Sequence, residues 1–230
     1  MKLRPVLTVL VVAGVAMLLF LPGDVTAASL PGIDDTCLET DLRGCDVLSS
    51  GYIASERGRR LAFQTQAGFT DEDGVRGGVV LFEDTPDGWS LLARAFDADH
   101  YDLPRLVEHD LTLLHVPGMG GGSGSYNADL LFVWGDTGAA RFAEGWQRID
   151  LDTWLTTIAD HLPARHEIWQ GVDYDFDDWF HGRLEARTPL WRSDDGNCCP
   201  SGGWATIHFA LEQDALVVTA IDHQPPPMAR

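Results

Sequence analysis

The chain has 230 residues and carries 16 Lys and Arg against 35 Asp and Glu, a net charge of −19. So negative a surface repels phosphate backbones and anionic lipid heads, which argues against nucleic acid and the membrane surface as partners. Cationic proteins, glycans and divalent cations stay open, and keeping an exported protein in solution is the plainest use of such a charge.

The first residues read as a secretory signal. Lys2 and Arg4 form a positive n-region, Val6 to Leu21 an apolar run of 16 residues, and Val25-Thr26-Ala27 a small-residue site for cleavage before Ala28. A membrane anchor is the competing reading. The run is short for the roughly 20 residues of a spanning helix, and Pro22-Gly23 breaks it. No cysteine follows the site directly, which argues against a lipid anchor. The expected boundaries are a signal peptide over 1–27, one domain over 28–222, and a Pro-rich disordered tail over 223–230. Removing Lys2, Arg4 and Asp24 leaves 14 basic and 34 acidic residues, a net charge of −20. The expected location is the bacterial periplasm or the medium.

Within the exported part, short strand patterns punctuated by glycine dominate. Gly77 to Glu83 and Trp89 to Leu92 flank Thr85-Pro86-Asp87-Gly88, which predicts a hairpin. A second hairpin is predicted from Tyr126–Trp134 with Gly145–Ile149. Trp204–Leu211 with Ala215–Val218 predicts a third, whose first strand alternates as a half-buried strand should. Arg105-Leu106 and Arg183-Leu184 begin segments ending in Ser123-Gly124-Ser125-Tyr126 and Ser201-Gly202-Gly203-Trp204, at a constant offset of 78. This suggests an internal duplication over about 105–149 and 183–220, with a partial third copy near Gly77. Leu151, Trp154, Leu155, Ile158 and Leu162 share one face of a helix predicted near 150–162, with Asp150 as cap and Pro163 as terminator. The expected fold is α+β and mainly antiparallel β: repeated strand–Gly-loop–hairpin units in a sandwich or curved sheet. Three copies are too few to close a propeller.

Four cysteines, Cys37, Cys45, Cys198 and Cys199, lie in the exported part, which implies two disulfides. A bond between adjacent cysteines closes a strained eight-membered ring. The expectation is therefore that Cys37 and Cys45 each pair with one of Cys198 and Cys199. Such bridges close loops of about 150–160 residues, each adding up to roughly 4–5 kcal/mol by chain entropy. A redox-active vicinal pair and a thiolate metal site are weaker alternatives, since no CxxC occurs.

Intact catalytic motifs are missing. Gly118 to Ser125 runs into a strand rather than a helix and lacks the GK[ST] ending of a phosphate loop, and Ser123 and Ser201 fail the nucleophile-elbow pattern. Asp173, Asp175 and Asp177 have the 1-3-5 spacing of a calcium loop, but Asp178 replaces its glycine and Leu184 its glutamate. Read as a strand, the same run puts the three aspartates on water and Val172, Tyr174 and Phe176 on the core. Calcium is the cofactor that this spacing would take; otherwise none is expected. His100, His109, His115, His161, His166, His181 and His208 form no HExxH, and His208 reads as exposed. Tyr126, Trp134 and Trp204 are candidates for a ligand face, and aromatic residues of this kind also build cores.

Arg187-Thr-Pro-Leu-Trp191, Asp195 to Gly203 and Val116 to Trp134 together resemble a group of secreted or periplasmic bacterial proteins carrying a CCPSGG hairpin module. The resemblance covers about half of the exported chain and implies export, with no activity attached. The Gly-rich loops before strands also resemble repeat units of extracellular propeller adhesins, although the acidic pattern those repeats use for calcium is not matched.

The expectation is a non-enzymatic, disulfide-stapled β module that binds a cationic protein, a glycan or a divalent cation. A hydrolase built on His100, Asp102, His109 and Asp175 is the first alternative and requires these side chains to converge. A structural envelope protein is the second.

Overall fold

The computed structural model describes residues 29–227 apart from 57, 72–73, 110, 123, 136–143 and 179–182. The predicted signal peptide, His181 and residues 228–230 lie outside the described residues. Among the described residues, 58% are in strands and 5% are helical. Among the described residues no helix is long and apolar enough to cross a membrane.

Three four-stranded antiparallel sheets follow one another along the chain. The first is a meander of β1 (Arg43–Ala54), β2 (Arg60–Thr70), β3 (Gly74–Thr85) and β4 (Gly88–Ala98). β5 (His100–Tyr101) leads to β6 (Arg105–Glu108), β7 (Thr112–Val116), β8 (Gly118–Gly120), β9 (Tyr126–Asn127), β10 (Leu130–Gly135) and β11 (Gly145–Ile149). Of these, β6, β7, β10 and β11 form the second sheet, and β5, β8 and β9 a small one. The rest comprises β12 (His166–Glu167), β13 (Asp173–Asp175), β14 (Leu184–Pro189), β15 (Trp191–Arg192), β16 (Trp204–Glu212) and β17 (Ala215–Gln224). Here β13, β14, β16 and β17 form the third sheet, and β12 pairs with β15. The three expected hairpins are β3–β4, β10–β11 and β16–β17, except that the strand expected over Tyr126–Trp134 is split: Tyr126–Asn127 pairs with β8 in the small sheet and only Leu130–Gly135 pairs with β11. In the first, Gly88 ends the turn at φ 110°, which a residue with a Cβ rarely adopts. β17 runs to Gln224, two residues into the predicted tail.

These small antiparallel sheets stand in a four-blade propeller-like ring, which corrects the expected sandwich. The reason lies in the second sheet. A two-layer sandwich gives each sheet one buried face, but β7 and β10 bury both. Leu113, Leu131 and Val133 pack with Ile207, Phe209 and other residues of the third sheet. Leu114, Val116, Leu130 and Phe132 pack with Leu61, Phe63, Val79 and Leu81 of the first. The second sheet therefore sits between the other two, and continuous apolar strands are what two covered faces require. The Gly-rich loops 117–129 and 190–203 fall at matching places, each between the second and third strands of its sheet.

The predicted helix near 150–162 is also corrected. The segment forms two 3₁₀ turns, Thr153–Thr156 and Ile158–Asp160. Asp150 accepts from the backbone N–H groups of Asp152 and Thr153 at 2.7 and 2.9 Å, a local turn that competes with helix. Thr153, Thr156, Thr157 and Ile158 are β-branched and gain little from a helix. Leu151, Trp154 and Ile158 are still buried in the core shared by the second and third sheets and Leu162 packs against it, but Leu155 of the same predicted face is 44% exposed, because the 3₁₀ turns rotate it away from the core.

The disulfide pairing differs from expectation as well. Cys37 bonds Cys45, and Cys198 bonds Cys199. Residues 29–42 cross the outer face of the first sheet, where Ile33, Leu30 and Leu38 cover Val80 and Phe82. Gln64, fully buried, donates to the carbonyls of Ile33 and Thr36 and accepts from Leu38 N–H. This thread carries Cys37 to Cys45 on β1, whereas Cys198 and Cys199 lie beyond the second sheet, in the loop before β16. The middle sheet keeps the two pairs apart.

Candidate functional site

Two short elements bring the polar groups together. β7 reads Thr-Leu-Leu-His-Val with every residue buried, so His115 is a single imidazole inside an apolar strand. Its Nε2 lies 2.7 Å from Asp129 Oδ1, and both side chains are over nine-tenths buried. Asn127 Nδ2 donates to the other oxygen of Asp129 at 2.9 Å and to the Val172 carbonyl at 2.7 Å. Asn127 Oδ1 accepts from Val172 N–H at 2.7 Å. The Phe176 ring meets the imidazole edge-on at 4.8 Å. A relay Asn127–Asp129–His115 thus ties the strand before β10 to β7 and to the start of β13.

His115 lines a cavity of about 150 Å³ together with His100, Asp102, Arg105, Met119 and Asp173. Two larger hollows adjoin it. One of about 430 Å³ shares Met119, Asn127 and Asp173 with it and adds Tyr126, Arg187 and Trp204. Another of about 460 Å³ shares Asn127, Val172 and Tyr174 and adds Asp152, Leu155 and Trp169. Together they make one cleft between the second and third sheets. On its rim Tyr126 is 41%, Trp204 48% and Trp169 50% exposed. The glycines of the 118–121 loop shape its wall by close approach. A Cβ on Gly120 would run into the ring of Tyr126, and one on Gly118 into Tyr101. Tyr126 donates to the Asp97 carbonyl at 2.7 Å and accepts from Arg76 at 3.1 Å, which holds the ring at the rim.

The predicted site residues divide. Tyr126 and Trp204 reach this cleft. Trp134 does not: it meets Trp146 edge-on at 5.4 Å, with the Arg59 guanidinium 4.1 Å from its ring. His100 and Asp102 share the cavity, whereas His109 lies in the β6–β7 turn and Asp175 faces Glu185 across the β13–β14 pair. Asp173, Asp175 and Asp177 face outward while Val172, Tyr174 and Phe176 are buried, as the strand reading required. They do not form a calcium loop. Asp177 instead lies 3.7 Å from Arg105, and no group of three or more His, Cys, Asp or Glu is placed to hold a metal among the described residues. His208 is partly covered, between Glu185 at 3.1 Å and Asp222 at 3.0 Å. The acidic Asp97 and Asp99 hold the structure: Asp97 accepts from the Tyr101 hydroxyl, while Asp99 accepts from Arg76 and from Gly121 N–H. Burial, then the Asp97 contact, pushes the Tyr101 phenol well above its ordinary range, and burial does the same to Tyr174.

The sequence reading missed the role of His115, and also Asn127, Asp129 and Trp169. A signal was present for the first, since a lone imidazole in Leu-Leu-His-Val is costly to bury without a partner. Its partner Asp129 could not be chosen from among 35 acidic residues. No protein-family model, curated protein or solved structure matches the chain.

Proposed function

We propose that the protein is an exported, non-enzymatic binding module whose cleft between the second and third sheets takes a cationic protein partner. The observation that carries this reading is the joint placement of three exposed aromatic residues, Tyr126, Trp169 and Trp204, with the carboxylates of Asp102, Asp152 and Asp173 along one cleft. An aromatic face attracts a cation, and the effect strengthens as water is excluded. The chain uses this contact internally. Arg59 lies over Trp134, Arg60 over Trp89 at 5.3 Å, and Arg187 over Trp204 at 5.6 Å. Among the described residues no guanidinium lies over Trp169 or Tyr126. The net charge of −19 steers a cationic partner toward the surface before any contact forms.

The test is capture of a basic protein such as lysozyme on the immobilised mature chain at about 20 and 300 mM salt, a range over which screening separates charge-driven binding from the rest. Binding at low salt that weakens at high salt, and weakens about tenfold or more in Trp169→Ala with Trp204→Ala, is the expected result. Equal capture by that double variant removes the cleft from the reading. A hydrolytic reading is favoured by one observation, the His115–Asp129 pair. However, among the described residues the cavity that His115 lines holds no Ser, Thr or Cys side chain to serve as nucleophile.

A further inference from the structure

The geometry points to a primary-ammonium pocket at the floor of this cleft: we infer that the cavity under His115 seats one –NH₃⁺ group, such as a lysine tip, donating to His115 Nδ1 beside the carboxylates of Asp102 and Asp173. The inference rests on the proposed binding of a cationic partner and names which cation the site selects.

The hydrogen-bond directions follow from Asn127. An amide's oxygen and nitrogen are ordinarily hard to tell apart. Here Val172 distinguishes them, because its N–H must meet the amide oxygen and its carbonyl the amide nitrogen, each at 2.7 Å. The amide NH₂ therefore faces Asp129, which accepts on one oxygen from Asn127 and on the other from His115. Nε2 must then carry the ring proton. In the neutral ring Nδ1 is left as an acceptor, and no donor meets it among the described residues. His115 is only 5% exposed and lines the cavity. Nδ1 is not among the buried side-chain atoms that lack a partner, so the small part of His115 that is exposed includes this nitrogen, and a ligand N–H can take the place of water there.

The surroundings fit an ammonium better than other cations. About 150 Å³ is some five water volumes, room for a compact head on an alkyl stem. An ammonium has three donors to share among one imidazole and two carboxylates, whereas a guanidinium is a broad planar fork and a trimethylated ammonium has no donor. Arg105 faces His115 across the β6–β7 pair and is the resident cation of this wall. It is drawn toward Asp177 at 3.7 Å with over half of its side chain exposed, so it stands at the mouth rather than on the floor.

The experiment titrates the mature chain with three five-residue peptides of the form acetyl-Gly-Gly-X-Gly-Gly-amide, X being lysine, arginine or trimethyllysine. It follows affinity by calorimetry and the imidazole ¹⁵N resonances by NMR at pH 8, with the His115 signals assigned by their loss in His115→Asn. The expected result is lysine binding at least about tenfold tighter than trimethyllysine, with a shift of the His115 Nδ1 resonance on binding. Asp173→Asn and Asp102→Asn, on exposed residues that leave the fold intact, reduce that preference to about threefold or less. Equal binding of all three peptides with a fixed Nδ1 resonance overturns the ammonium pocket and leaves the cleft reading standing. If no peptide binds and basic proteins are not captured either, the cleft reading falls and the pocket with it. Basic-protein capture with no lysine-dependent change at His115 overturns the pocket alone.

Discussion

Gln64 joins the N-terminal thread to the first sheet, with its amide directed by the carbonyls of Ile33 and Thr36 and by Leu38 N–H. Gln64→Leu keeps the volume but leaves those groups unpaired in a buried place, so chemical denaturation should show a loss of about 2–3 kcal/mol. The cysteine pairing is checked without reduction. Trypsin cuts after Arg43, between Cys37 and Cys45, so the two flanking peptides should stay linked. The peptide from Ser193 onward should run two mass units below its reduced form, since it holds both Cys198 and Cys199. Asp195 reports on the same loop. Ser201, through its hydroxyl first, and then the backbone N–H groups of Arg192 and Ser201 hold its carboxyl below the ordinary value of 3.8. A lowered carboxyl contributes stability that is present above the ordinary value and lost as pH falls through the lowered one. In an acid titration the Ser201 amide resonance should therefore move with a midpoint below 3.8, and Asp195→Asn should remove that step.

Among the elements, the 150–162 segment shows how a pattern can mark contacts without naming the backbone. Leu151, Trp154 and Ile158 would lie on one face of a helix, and they reach the core from 3₁₀ turns because Trp154 Nε1 bonds Tyr174 and Tyr174 bonds the Leu151 carbonyl. Asp150 sets the turn, and Asp150→Ala should cost about 1 kcal/mol in thermal or chemical unfolding, as the loss of such a cap does elsewhere. The glycine loop is a packing device. Gly120→Ala should displace the Tyr126 ring and weaken capture of a basic protein while leaving the unfolding midpoint within a few degrees.

For the whole molecule, the decisive feature is a middle sheet with two covered faces. Leu113 and Leu114 are neighbours in β7 yet belong to different cores, one against the third sheet and one against the first. Leu113→Ala and Leu114→Ala should each lose about 2–5 kcal/mol in chemical denaturation, and each should leave a single transition because the sheet couples both cores. Two separate transitions in either variant would show that the first and third sheets fold independently of the middle one.

Hairpins, the strand phase of Val172–Phe176 and the excess of acid could be read from residue order alone, because turn chemistry, two-residue alternation and charge are local properties. The four-blade ring, the cysteine partners and the relay from Asn127 to His115 could not. Each depends on which sheet covers which, a matter settled by burial between segments far apart in the chain. Asp129 is one carboxylate among many until the second sheet sets it against His115, and Tyr126 becomes a rim residue only when Trp204 arrives from the third.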